Sequence, residues 1–252
     1  MNNTNDNNRF LVHLYGDSLS LPRKSIGVPY YLSYPELLRE KWERLPVSKK
    51  VHLYNWSRGD ATIESVFNEF KRESFYFSCI SDILIIQIGI CDCAPRPIPP
   101  WLRGIISLAP GFIRSRVIKL IRLNRAKIQH AGIKWQNTNP DIFESSYSEF
   151  LLKSLEEFKR IYLINIAPTT PKIEAHSPGL TLQINKYNQI IKNLISRINN
   201  QKIQLIDIHQ KILNQPKDIN SFIHEDGHHI TAETHQLYAE LIWEKEKILF
   251  EK

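Results

Sequence analysis

The chain has 252 residues, of which 42% are hydrophobic, and its formal net charge is +7. Its three cysteines, Cys79, Cys91 and Cys93, have no paired spacing, which excludes a disulfide framework. No apolar run approaches the ~18–20 residues that span a bilayer. We therefore expect a single domain over 1–252, with reduced thiols, in the cytoplasm. The positive charge indicates an anionic partner or surface without naming it.

Strand-like and helix-like patterns alternate after a polar start. Residues 1–8 have no apolar core, so we expect a disordered segment rather than a secretory signal. Short apolar runs predict five strands, and one of them is nearly all apolar, as in a central strand covered on both faces. The predicted strands are 10–15, 51–55, 82–88, 161–166 and 203–208, and the predicted helices are 34–42, 61–70, 146–158, 182–198 and 231–249.

This alternation predicts an α/β fold, with a five-stranded parallel sheet between two layers of helices. The helix before the fourth strand is placed at 146–158 because Ser146 and Glu149 have the spacing of a capping box. No internal repeat or linker divides the chain, which favours one domain.

Three residues provide what a nucleophilic hydroxyl needs. Ser18 follows the first strand at its carboxyl end, where open α/β sheets keep their functional sites. Asp226 and His229, far along the chain, are a carboxylate and an imidazole that could activate a serine. Two alternatives stay open. Ser18 could be a turn or helix-cap residue, and His224 or His228 could be the base instead of His229.

Four short segments, in this order, resemble the sequence blocks of the SGNH (GDSL-type) hydrolases. The resemblance spans almost the whole chain and implies a flavodoxin-like sheet with catalytic loops at one edge. It implies that Ser18 is the nucleophile, His229 the base and Asp226 its orienting carboxylate. It also implies an oxyanion hole formed by Ser18, Gly59 and Cys91. The four segments are Gly16-Asp17-Ser18-Leu19, 55–62, Gly89-Ile90-Cys91-Asp92 and 226–229.

Cys91 is where the chain departs from the family pattern. The family has an asparagine at this position, whose amide helps to hold the oxyanion, whereas a thiol is a weak donor. Loss of one oxyanion donor costs ~10²–10³ in turnover in other hydrolases. Three explanations are open. Cys91 itself sits in the hole, Arg96 replaces the missing donor, or the site is weakened or specialised for an unusual acyl group.

We expect four further residues to bind the substrate, namely Asp17, Arg58, Asp92 and Arg96. For Asp92, a structural role in holding loops together is the stronger alternative. We expect no metal, because Cys91 and Cys93 lack the spacing of a structural zinc site. We also expect no cofactor, since the chain has neither a Walker-type phosphate loop nor a dinucleotide-binding motif.

A long basic insert, 93–145, separates the third and fourth predicted strands. It has no acidic residue between 93 and 140, and its apolar residues predict an amphipathic helix in part of it. Two interpretations are open. Residues 101–135, with Trp101 and Trp135, contact an anionic membrane or a lipid-linked saccharide, or the apolar face packs on the sheet. We expect no nucleic acid partner, because no binding motif accompanies the charge. The cations are Arg96, Arg103, Arg114, Arg116, Lys119, Arg122, Arg125, Lys127 and Lys134.

These patterns together predict a serine-dependent SGNH-type esterase or deacylase that acts on acyl esters of a saccharide. The run from Asp92 to Arg96 resembles members associated with bacterial surface-polysaccharide biosynthesis, which implies that context. An O-acyltransferase that modifies a polysaccharide precursor would use the same acyl-enzyme and stays open. Such an enzyme would act in the cytoplasm or peripherally at the inner membrane face. Two non-catalytic alternatives are a glycan-binding module with the same fold and a membrane-associated scaffold built around the basic insert.

Overall fold

The computed structural model describes residues 9–45, 50–73, 80–132 and 135–250. A sheet of five parallel strands, in the order β2-β1-β3-β4-β5, forms its centre. The predicted α/β fold is confirmed, and each predicted strand is present with ends shifted by at most three residues. The predicted start 1–8, Cys79 and Lys134 lie outside the described residues. The strands are β1 (Arg9–Gly16), β2 (Lys50–Asn55), β3 (Ser81–Gln87), β4 (Phe158–Ile164) and β5 (Ile203–Ile206).

Helices flank the sheet and bury its middle strands. Every residue of β3 is buried, as expected for a central strand covered on both faces. α1 packs against α11, and α7 packs against both α2 and α9. The helices are α1 (Tyr34–Glu43), α2 (Ile63–Glu73), α3 (Ile90–Cys93), α4 (Pro100–Leu108), α5 (Gly111–Leu123), α6 (Arg125–His130), α7 (Pro140–Glu157), α8 (Pro171–His176), α9 (Leu180–Ile198), α10 (Ile208–Leu213) and α11 (Ala232–Phe250).

The predicted start of the helix before β4 is wrong. α7 begins at Pro140, and the Asn139 side chain caps it by accepting a hydrogen bond from Ile142 N at 2.9 Å. Ser146 and Glu149 lie inside the helix, so they do not form a capping box. Asn139-Pro140 is the stronger start signal, because asparagine is favoured at the cap and proline in the first turn.

The basic insert forms three helices, α4, α5 and α6, before α7 begins. Two backbone hydrogen bonds between Arg96 and Trp135, at 2.6 and 3.0 Å, close its base. The predicted helix is present, but no residue of α5 is buried. The interpretation that its apolar face packs on the sheet is therefore wrong. The large hydrophobic side chains that the insert exposes before α7 are Trp101, Ile105, Leu108, Phe112, Ile113, Ile118, Leu120, Leu123 and Trp135.

Among the described helices, none combines the length and the apolar character that crossing a membrane requires.

Gly16 ends β1 in a space that admits no side chain. A Cβ there would lie 2.2 Å from Ser20 Oγ, 2.8 Å from Ser20 Cβ and 2.7 Å from Ser57 Oγ. The absence of a side chain lets the chain turn directly after β1 and lets residue 57 approach from the loop after β2.

We expect Gly16→Ala to lower the free energy of unfolding by about 1–3 kcal/mol, because the added methyl overpacks the end of β1. Urea denaturation measures the change. Gly104→Ala is the matched control, because a Cβ at Gly104, in α4, meets nothing within 4 Å. Alanine in a helix should leave stability unchanged or raise it. An equal loss of stability in both variants would contradict this interpretation.

Candidate active site

A short turn after β1 presents Ser18 at the carboxyl edge of the sheet. Asp17 caps this turn, and its Oδ1 accepts hydrogen bonds from Leu19 N at 2.9 Å and from Gln87 Nε2 at 3.2 Å. Asp17 is fully buried, and this burial raises the pKa of its carboxyl to about 7. Asp17 therefore shapes the turn from beneath and leaves the Ser18 side chain facing outward.

Ser18, His229 and Asp226 form a hydrogen-bonded chain. Ser18 Oγ lies 3.3 Å from His229 Nε2, and His229 Nδ1 lies 2.7 Å from Asp226 Oδ2. Asp226 Oδ1 also accepts from the backbone N–H groups of His229 and His228, at 3.0 and 3.2 Å. With Nδ1 donating to the carboxylate, Nε2 is free to accept the serine proton.

The loop that carries this pair is held by contacts on both sides. Gly227 has a φ of 82° and lies against Ile173, so that a Cβ there would approach Ile173 Cβ to 2.3 Å. Thr169 donates a hydrogen bond to Gly227 O at 2.8 Å. These contacts fix the loop that holds Asp226 and His229 over the end of β1.

His229 is kept in the neutral form that a base needs. Burial lowers the pKa of His229 below its ordinary 6.5, and the charge of His228 lowers it further, against the opposing effect of Asp226. Burial alone would raise the pKa of Asp226, but hydrogen bonds from His229 and from His228 N hold it well below its usual range. At neutral pH the pair is thus a carboxylate and a neutral imidazole.

Two backbone N–H groups near Ser18 are available to an oxyanion. Hydrogen bonds from Trp56 N to Leu14 O and from Arg58 N to Gly16 O extend the loop after β2 alongside the end of β1. Gly59 then lines the same cavity as Ser18. Within the described residues, Ser18 N and Gly59 N have no hydrogen-bond acceptor. The predicted oxyanion donors therefore belong to residues that line one cavity, and both N–H groups are without an acceptor among the described residues.

Cys91, the third predicted member of the oxyanion hole, also lines this cavity. It is the second residue of the short helix α3, which follows Gly89; the φ of Gly89 is 128°, and a Cβ there would lie 2.7 Å from Ile166. Burial raises the pKa of the Cys91 thiol far above its ordinary value, so the sulfur is a neutral S–H. A neutral thiol can donate only weakly to an oxyanion.

Of the four residues predicted to bind the substrate, Arg96 alone lines the cavity beside Ser18. Asp17 and Asp92 are fully buried, so predicting them as substrate contacts was wrong. Asp92 accepts hydrogen bonds from Ile63 N and from Thr138 Oγ1, which matches its alternative role as a tie between loops. Arg58 does not line this cavity and pairs with Glu69 at 3.4 Å, so its contact with the substrate stays a prediction.

We name the space next to the hydroxyl the Ser18 cavity; it has a volume of about 270 Å³. It contains residues that sequence reasoning did not assign to the site. Arg125 was counted only among the cations of the insert, and Arg23 was not considered. The lining residues are Ser18, Arg23, Gly59, Asp60, Ile90, Cys91, Ala94, Arg96, Arg125, Ile173, Ser177, Leu180, His228 and His229.

Sequence reasoning also missed a buried polar network beneath the turn that carries Ser18. Ser20 Oγ lies 2.7 Å from the Tyr34 hydroxyl and donates to Gln87 Oε1 at 2.6 Å, while Gln87 binds Asp17. Gln87 is the polar residue that follows the apolar run 83–86 of β3, which was the available signal. The network joins the turn to β3 and α1.

Among the described residues, Asp226, His228 and His229 form a cluster whose side chains are close enough together to hold a metal ion. One ligand atom from each lies within 4.8 Å of the others. An ion there would compete with the His229–Asp226 hydrogen bond for the same atoms. The prediction of a metal-free site stays a prediction.

We expect His228→Ala to raise the pKa of His229, because it removes a positive charge that disfavours the imidazolium. Asp226→Asn should lower the pKa, because it removes the charge that favours the imidazolium. Titration of ring-labelled histidine by NMR measures both, and His176→Ala, at an exposed position in α8, is the control. A fall in the pKa of His229 in His228→Ala would contradict the proposed electrostatics.

Solved structures with a similar fold come from lipolytic and acetyl esterases. The lipase/acylhydrolase from Enterococcus faecalis is 14% identical with a TM-score of 0.65, and the match covers 94% of each chain. The acetyl xylan esterase AlAXEase is 18% identical with a TM-score of 0.59, covering 94% of this chain and 99% of that one. A member of the lipolytic G-D-S-L family from Veillonella parvula is 12% identical with a TM-score of 0.54, covering 93% and 97%.

No protein-family model matches the chain, and no curated protein is similar to it at the level of sequence. The structural matches nonetheless extend over nearly the whole length of the chain. They support the resemblance seen in the four short segments. The chain therefore has the fold of the SGNH (GDSL-type) lipolytic hydrolases.

Proposed function

We propose that this protein is a serine esterase in which Ser18 is the nucleophile. The observation that carries this proposal is the hydrogen-bonded chain from Ser18 Oγ through His229 to Asp226, beside two free N–H groups. An exposed turn serine needs no such partners. The esterases and acylhydrolases that share the fold support the same reaction class.

The reaction begins when His229 Nε2 takes the proton of the Ser18 hydroxyl as it attacks an ester carbonyl. Asp226 stabilises the imidazolium that forms, and the N–H groups of Ser18 and Gly59 donate to the developing oxyanion. His229 then protonates the departing alcohol, leaving an acyl group on Ser18. A water molecule, activated by the same imidazole, releases the acid and restores the hydroxyl.

We propose that the natural ester is an acylated saccharide. Acetyl xylan esterases with this fold support a sugar ester. A volume of about 270 Å³, with both apolar and polar walls, is consistent with a small acyl group and part of a sugar ring. The resemblance to proteins of bacterial surface-polysaccharide biosynthesis points the same way.

Acyl transfer to a sugar hydroxyl is a second candidate. A second cavity, of about 490 Å³, shares Asp60, Arg96 and Arg125 with the Ser18 cavity. It offers room for an acceptor beside the acyl-enzyme. Product analysis in the presence of oligosaccharide acceptors distinguishes transfer from hydrolysis, because only transfer yields an acylated sugar.

We expect Ser18→Ala and His229→Ala each to reduce hydrolysis of 4-nitrophenyl acetate by at least about a thousandfold, because nucleophile and base act as one unit. Steady-state kinetics at pH 7.5 measure the effect.

Ser25→Ala, at an exposed position seven residues further on, and His224→Ala are the matched controls and should keep most of the activity. Equal loss in His224→Ala would assign the base elsewhere. Turnover unaffected by Ser18→Ala would contradict the mechanism. The glycan-binding alternative predicts sugar binding without any turnover that depends on Ser18.

We also propose that the insert contacts an anionic membrane from the inner face. Exposed apolar side chains, including Leu108 and Phe112, stand beside the exposed cations Arg114, Arg116 and Lys119. An apolar surface edged with positive charge is typical of peripheral proteins that bind anionic lipid.

We expect Leu108→Asp combined with Phe112→Asp to weaken partitioning onto phosphatidylglycerol vesicles by about tenfold or more, since each buried side chain contributes ~1.5–3 kcal/mol. Co-sedimentation measures it. Leu182→Asp, at an exposed leucine in α9, is the control. Binding that is equal in all variants, or equal on phosphatidylcholine vesicles, would contradict the membrane contact.

A further inference from the structure

The second cavity has an unusual concentration of arginine. We name it the insert cavity, because α4, α5, α6 and the loop before them form most of it. Four guanidinium groups line it, from Arg96, Arg103, Arg122 and Arg125, against the single carboxylate of Asp60. Its remaining walls are Thr62, Pro97, Ile98, Ile118, Ile121 and Asn137.

Within the described part of the chain, none of these four arginines forms an ion pair with an acidic side chain. The arginines that form ion pairs in the described part of the chain are others, namely Arg39, Arg44, Arg58, Arg72, Arg160 and Arg197. Arg125 donates only to neutral oxygens, Pro95 O and Ser177 Oγ, both at 2.9 Å. Within the described residues, the Arg96 guanidinium has neither a hydrogen bond nor an ion pair, and its Nε is buried.

Bringing these charges together is unfavourable in the empty protein. Burial lowers the pKa of Arg125 and of Arg103, and in both cases the positive charge of Arg96 lowers it further, although Asp60 opposes the effect at Arg103. Like charges at short range repel, and buried donors without acceptors are costly. A bound anion would offset both effects. Guanidinium groups also match the oxygen atoms of a phosphate in pairs of hydrogen bonds.

The position of the insert cavity connects it to the reaction. Arg96 and Arg125 belong to its wall and also to the wall of the Ser18 cavity. A molecule that places an ester carbonyl against Ser18 would therefore extend past these two arginines into the insert cavity.

We infer that the insert cavity is a phosphate-binding subsite, which selects esters whose alcohol or acyl part also carries a phosphate group. This inference rests on the proposed esterase function for the ester, but the binding of phosphate itself does not require Ser18. It gives the basic insert a role in substrate choice.

Inorganic pyrophosphate is the soluble probe, titrated calorimetrically into the Ser18→Ala protein. We expect saturable binding that weakens about tenfold or more in Arg96→Gln, because one charge-assisted contact is lost. Arg122→Gln, at the exposed rim, should also weaken binding. Arg116→Gln removes an equal charge from the exposed side of α5 and should leave binding within about twofold of the parent. Thermal denaturation confirms that each variant is folded.

A phosphate could belong to a soluble substrate or to a lipid headgroup, and a second arm distinguishes them. If pyrophosphate displaces the protein from phosphatidylglycerol vesicles, a headgroup occupies the insert cavity. If pyrophosphate binds without displacing it, the phosphate belongs to a soluble substrate. Either result supports the subsite.

No saturable pyrophosphate binding, or equal weakening by Arg96→Gln and Arg116→Gln, would overturn the inference. Hydrolysis of the neutral ester 4-nitrophenyl acetate is measured separately on protein with Ser18 intact. Loss of that activity with pyrophosphate binding preserved would remove the esterase proposal and leave the subsite standing. Ester hydrolysis without pyrophosphate binding would remove only the subsite and leave the esterase proposal standing.

Discussion

The parallel alignment of β2, β1 and β3 is the constraint on which the candidate site depends. In this order, the carboxyl ends of three neighbouring strands meet at one edge of the sheet. The segments that follow them carry Gly59, Ser18 and Cys91, the three predicted members of the oxyanion hole. Gly16 permits the approach of the loop after β2, and Gly89 permits the turn after β3 against Ile166. Ser18, Gly59 and Cys91 then line one cavity although they are far apart in sequence.

The loop with Asp226 and His229 completes the site from the other end of the chain. Its backbone N–H groups hold the Asp226 carboxylate, and the carboxylate holds the imidazole toward Ser18. Burial keeps the imidazole neutral, while Arg23 and His228 add a positive field that acts in the same direction. A neutral imidazole therefore lines the same cavity as the guanidinium groups of Arg96 and Arg125.

Strand positions could be read from the sequence because they depend on local patterns, and the resemblance to the SGNH hydrolases singled out Ser18, His229 and Asp226, which the structure brings into one hydrogen-bonded chain. The apolar run of β3 is typical of a buried central strand, and the two residues between Asp226 and His229 match the spacing of the family's Asp-x-x-His segment. The burial of Asp17 could not be read in this way, because a carboxylate next to a nucleophile has the same sequence whether it faces inward or outward. Its hydrogen bond from Gln87 decides the direction.

The insert shows a second limit of sequence patterns. Helical spacing predicted a helix in this segment but left open whether its apolar face packs on the sheet, because periodicity reports an apolar face and not what covers it. Arg125 was indistinguishable from the other cations until the position of α6 placed it in the wall of the Ser18 cavity.

Covalent labelling with a neutral fluorophosphonate, followed by intact mass, tests most directly whether Ser18 is an activated nucleophile. The structure predicts one adduct on the parent protein, none on Ser18→Ala and a much slower reaction for His229→Ala. An adduct that persists in Ser18→Ala, or no adduct under conditions that label a control serine hydrolase, would contradict the proposed nucleophile.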